Sequence, residues 1–122
     1  MCGGSRTTTI NIVITATKDN QYPPALSDGN NTSTGSGDEN FTTVVTGGTV
    51  VNFIKAGDIT SIDNVFYSGE NKVFSSGPNK QSDGSWQGVI ADLPNGTEEA
   101  YTIVYTVAGN QYKQDPKLRL NN

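Results

Sequence analysis

Histidine is absent from the 122 residues, and cysteine, methionine and tryptophan occur once each, while charged residues make up only 16% of the chain. Each shortage excludes something. Without histidine, the usual general base near neutral pH and the commonest zinc ligand are both missing. The single cysteine, Cys2, rules out an intramolecular disulfide and any multi-cysteine metal centre. Eight basic residues against twelve acidic ones give a net charge of −4, and only Lys113, Lys117 and Arg119 lie near one another in sequence. Phosphate neutralisation needs clustered cations, so no nucleic-acid partner is expected. No run of about 18 apolar residues occurs, which excludes a transmembrane helix. Glu98 and Glu99 are sequence neighbours on an expected strand, and neighbours there point to opposite faces, so they cannot act as a carboxylate pair across one bond. The chain is therefore read as non-enzymatic and without a required cofactor.

What is abundant is uncharged and polar. Thr, Asn and Ser fill 38 positions and Gly another 14, at the expense of the residues that build helices. That composition suits strands and turns. It also resembles the composition of bacterial surface and secreted proteins, which implies an extracytoplasmic location.

Alternation identifies the strands. In 8–17, Ile10, Ile12, Ile14 and Ala16 alternate with Thr and Asn, giving one core face and one solvent face. In 100–107, Tyr101, Ile103, Tyr105 and Val107 share a face, and a turn at Gly109-Asn110 predicts a hairpin with the segment that follows. Pro116 lacks an N–H and should break that last strand, after which Leu118 and Leu120 return to the core. Further strands are expected at 41–46, 49–55, 59–67, 71–75 and 85–92. Gly47-Gly48 reads as a tight hairpin turn or a glycine bulge, and Ser76-Gly77-Pro78-Asn79 as a turn. Pro23 and Pro24 confine 21–26 to an edge or a turn. Seven to eight strands, no helix and no internal repeat predict an all-β, single-domain β-sandwich of immunoglobulin or fibronectin type. It would span 7–122, with a flexible tail at 1–6 and a mobile loop at 27–40, where no apolar residue anchors the chain. Trp86 would plug the core, and Tyr101, after Leu93-Pro94-Asn95-Gly96, would form a corner whose hydroxyl bonds back to upstream backbone.

Three groups of residues are candidate sites. Trp86, Tyr22, Tyr67 and Tyr112 are aromatics on which a sugar ring or a protein surface can stack. Tyr101 and Tyr105 also carry rings, but they share the core face. Asp28, Asn30, Asp38 and Glu39 offer the hard oxygens calcium takes, although their spacing is not that of an EF-hand loop. Asn30, Asn31, Asn40 and Asn95 each begin an Asn-x-Ser/Thr sequon, a number that chance supplies in a chain with 25 Ser and Thr. The expected partner is a protein or a glycan at a cell surface. Pairing through an exposed edge strand is a third route, towards self-assembly.

Two resemblances bear on identity. Cys2-Gly3-Gly4-Ser5 resembles the first residues of a mature bacterial lipoprotein, which implies a lipid anchor on Cys2; an incidental thiol behind a natural start at Met1 is the other reading. The ending Tyr112-Lys113-Gln114-Asp115-Pro116-Lys117-Leu118-Arg119-Leu120 resembles the terminal strand of the small bacterial DP-EP family, named for its Asp-Pro and Glu-Pro dipeptides. Asp115-Pro116 matches, and no Glu-Pro occurs. The resemblance implies a sandwich-like accessory protein and carries over no catalytic residues.

Overall fold

The computed structural model describes residues 8–29, 32–34, 41–67 and 73–121, with backbone only at 32–34. Their strands are β1 (Thr9–Ala16), β2 (Ala25–Ser27), β3 (Thr32–Thr34), β4 (Thr42–Val45), β5 (Val50–Gly57), β6 (Ile59–Tyr67), β7 (Phe74–Lys80), β8 (Trp86–Ile90), β9 (Glu98–Val107), β10 (Asn110–Gln114) and β11 (Lys117–Leu120). They form an all-β sandwich of two mixed sheets. The first runs β3-β2-β1-β5-β8-β7; in the second, β9 has β6 on one side and β10 then β11 on the other, with β4 beyond β11. Two pairs are parallel, β1 with β5 and β4 with β11, and the other pairs are antiparallel.

Among the described residues the count is eleven strands rather than seven or eight. Two three-residue strands, β2 and β3, add to it, and the last strand splits at Asp115-Pro116 as the missing N–H requires. The proline-bearing part of this segment, 21–24, is a bend, and only after it does the chain enter β2, which lies between β1 and β3 and so is not a sheet edge. β3 sits inside the stretch expected as a loop, and the expected tail lies outside the described residues.

Gly47-Gly48 turns the chain, but not into a hairpin or a bulge. β4 belongs to the second sheet and β5 to the first, so the turn carries the chain from one layer to the other. Ser76-Gly77-Pro78-Asn79 is likewise not a turn. It runs within β7, where register shifts against β8 between Phe74 and Asn79 absorb the proline.

Crossing back at the other end needs a sharp corner. Gly57 has φ +67°, and a Cβ there would stand 2.5 Å from the Ala16 carbonyl oxygen. Only glycine fits that approach. Asp58 then donates its N–H to Ala16 O at 2.7 Å and accepts the Lys18 N–H on its carboxylate at 2.9 Å.

Alternation fills the space between the sheets. Ile12, Ile14, Leu26, Val51, Phe53 and Ile90 face inward from the first sheet, and Ile62, Tyr101, Ile103, Tyr105, Leu118 and Leu120 from the second. Full burial of such side chains contributes about 1.5–3 kcal/mol each relative to leaving them in water. Phe53 lies tilted against Tyr101, centroid to centroid 5.4 Å, near the middle of this core.

Tyr101 does not make the expected corner. Its hydroxyl is buried with no hydrogen-bond partner among the described residues. Burial, together with the charge of Asp28, pushes its pKa well above the ordinary tyrosine value.

Candidate functional site

The connection between β1 and β2 folds on itself first. Thr17 and Asn20 exchange backbone hydrogen bonds of 3.2 and 3.1 Å, and the Thr17 hydroxyl accepts a further bond from Asn20 N–H at 3.0 Å. This brings Gln21 and Tyr22 against the β9–β10 hairpin. That hairpin closes through Ala108 and Gly109, both at positive φ, and its register sets Tyr112 opposite Tyr105.

Gln21 ties the two segments together. Its backbone carbonyl accepts the Tyr105 hydroxyl at 2.8 Å. Its side-chain oxygen accepts the Tyr112 hydroxyl at 2.7 Å and the Asn110 amide at 3.0 Å, while its side-chain nitrogen donates to Lys18 O at 3.0 Å. With its oxygen and nitrogen so engaged, the loop is fixed without burying an unpaired polar atom.

Tyr22 is laid on top of this frame. Its ring stacks on Tyr112 with centroids 5.7 Å apart and planes 17° from parallel, and Tyr112 leans on Tyr105 at 5.6 Å. The three rings run from the core to solvent: Tyr105 is fully buried, Tyr112 half-buried, and Tyr22 is 50% exposed. Such offset stacks add about 0.5–1.5 kcal/mol beyond area burial, so the outer ring is held rather than floating.

The other candidate aromatics go elsewhere. Trp86 packs against the core and donates its indole N–H to Ile62 O at 2.9 Å, across from one sheet to the other. Tyr67 stacks on Phe74 at 6.5 Å and sits opposite Tyr101 in the β6–β9 register, toward the far end of β9 from the hairpin turn. Of the four aromatics, the structure brings together Tyr22 and Tyr112.

Of the four calcium candidates, Asn30, Asp38 and Glu39 lie outside the described residues, as does Cys2. Asp28 is buried, 7% exposed, and accepts the Thr43 hydroxyl at 2.8 Å. No group of three or more His, Cys, Asp or Glu is placed to hold a metal ion among the described residues.

One carboxylate on β6, Asp63, gathers a set of donors that was not foreseen. Asp63 accepts hydrogen bonds from Ser61 at 2.6 Å, from Gln111 at 3.1 Å, and from Thr106. Partial burial raises its pKa, but these bonds and the Lys80 charge outweigh that, and the carboxyl lies below its ordinary value of 3.8. It acts as a brace across β6, β9 and β10.

Gln21 and Asn110 are the site residues that sequence reasoning missed. Asn110 was legible as a turn residue only. Gln21 had no signal, because its partners on the hairpin lie 84 to 91 positions away. No protein-family model matches this chain and no curated protein matches it, so the site is read from its own chemistry.

Proposed function

We propose that this protein is a non-catalytic β-sandwich binding module acting outside the cytoplasm, and that it meets its partner through the Tyr22–Tyr112 stack. The observation that carries the reading is the half-exposed Tyr22 ring, backed by two further tyrosines and fixed by Gln21. A large ring costs few rotamers to immobilise and offers an apolar face with a polar rim, which is what a protein or glycan contact uses. The composition, rich in Thr, Asn and Ser, and the lipoprotein-like Cys2-Gly3-Gly4-Ser5 support placement at a bacterial envelope, with Cys2 as a lipid anchor. A sugar-binding reading is favoured by the same feature, because one face of Tyr22 is covered by Tyr112 and the ring is still 50% exposed.

The test is retention of wild-type protein and Tyr22→Ala on an immobilised glycan array and on a purified bacterial envelope fraction. Wild type is expected to be retained by one of these, and Tyr22→Ala to be retained about tenfold less, as for loss of an aromatic hot spot. Its melting temperature should change little, since the side chain is half in solvent. Equal retention of the two proteins, or none of either, overturns the proposal.

A further inference from the structure

The outer face of the first sheet carries a second arrangement, built from amides. Asn11 on β1, Asn52 on β5 and Gln87 on β8 lie in one register row, and Asn79 on β7 stands opposite Gln87. The Gln87 side-chain nitrogen donates to Asn52 Oδ1 at 2.9 Å, and Asn52 Nδ2 donates to Asn11 Oδ1 at 3.0 Å. Each carboxamide has two N–H donors and two acceptor lone pairs, so the row keeps both kinds of capacity after these bonds are made.

Beside the row is a groove of about 560 Å³, within the roughly 300–1,000 Å³ of small-ligand sites. Asn52 and Gln87 line it together with Ile54, Lys55, Asp83 and Gly84. Its wall, the β7–β8 loop, is braced from within: Gln81 N–H bonds Ser85 O at 2.7 Å, Gly84 N–H bonds Gln81 O at 3.0 Å, and Asp83 accepts the N–H and hydroxyl of Ser85 at 2.9 and 2.6 Å. These bonds from Ser85 also hold the Asp83 carboxyl below its ordinary value. A wall already ordered loses little entropy when a ligand arrives.

The lining selects the ligand. One cation, Lys55, set against one carboxylate, Asp83, gives no charge surplus for a phosphate or a polyanion. A peptide strand would need free backbone edges, and β5 and β8 are both flanked by paired strands, so only side chains can read what lies here. Amides offering donors and acceptors side by side match a ligand dense in hydroxyls, with Ile54 and the Lys55 stem for its C–H faces.

We propose that this groove binds a neutral oligosaccharide, with Asn52 and Gln87 as its hydroxyl-reading residues. The site is separate from the Tyr22 stack and does not depend on it. The experiment is a titration of ¹⁵N-labelled protein with cellohexaose, xylohexaose, maltohexaose, laminarihexaose and chitohexaose, following the side-chain amide signals. At least one sugar should shift the Asn52 and Gln87 amides saturably. Asn52→Ala and Gln87→Ala should each weaken binding by about tenfold, the loss expected when a site built on polar contacts is cut. Gln87→Glu, which keeps the shape but replaces the amide donors with a carboxylate, should weaken it as well. Shifts confined to Tyr22 and Tyr112 would leave the aromatic contact standing and overturn the groove. So would binding untouched by the Asn52 and Gln87 variants, or no shift with any of the five sugars.

Discussion

Two tyrosines on one strand, both fully buried, show how far a single hydroxyl changes the role of a residue. The Tyr105 hydroxyl donates a hydrogen bond to Gln21 O at 2.8 Å, whereas the Tyr101 hydroxyl has no partner among the described residues. A made hydrogen bond contributes about 0.5–1.5 kcal/mol net, while a buried group left unpaired is a cost that its removal relieves. Tyr105→Phe is therefore expected to lower stability by about 1–2 kcal/mol, since it also strands the Gln21 carbonyl, and to loosen the loop beneath Tyr22. Tyr101→Phe is expected to be neutral or stabilising. Urea unfolding of the two variants checks this, and equal losses would mean that the Tyr101 hydroxyl is satisfied after all.

At the scale of elements, the corner between β5 and β6 is the most demanding piece of backbone. Alanine at Gly57 must adopt the left-handed region, at about 1–2 kcal/mol, and must also displace the Ala16 carbonyl from a 2.5 Å approach. Gly57→Ala should cost about 3 kcal/mol or more. Gly109→Ala, at φ +82° with nothing within 4 Å, should cost only the conformational part. Thermal melts of the pair separate contact from conformation, and similar losses would remove the role given to the close approach. Much of the element layer was legible beforehand. Strict alternation placed β1, β9 and the hairpin, and the missing N–H of Pro116 placed the final break. The Gly47-Gly48 turn and the Ser76–Asn79 segment were not legible, because turn chemistry states that a chain bends but not which layer it enters, and because a bulged strand tolerates glycine and proline as a turn does. The same limit governs the candidate site. Tyr22 and Tyr112 were legible as rings available for stacking, but Gln21 acts through contacts with a hairpin more than eighty positions away, and no local pattern encodes that.

For the whole molecule, an open sandwich must keep its edges from pairing with other copies. The two longest edges are irregular. β6 carries register shifts between Ile59 and Ser61 and between Ile62 and Asn64, and the charged Asp63 falls within the second. β7 is shifted in two places and contains Pro78. β3, β4 and β10 present only three, four and five residues. Trp86 also occupies the Ile62 carbonyl, an acceptor on the β6 strand itself. These features favour a binding module over an edge-assembled fibre. Sedimentation velocity from micromolar to near-millimolar protein, at pH 7 where the net charge of −4 suppresses non-specific association, should show a single 12.9 kDa species. A dimer or polymer that grows with concentration, and that Asp63→Ala enhances, would mean that β6 is an assembly edge whose bulges only regulate it, and would move self-assembly ahead of ligand binding as the function of this fold.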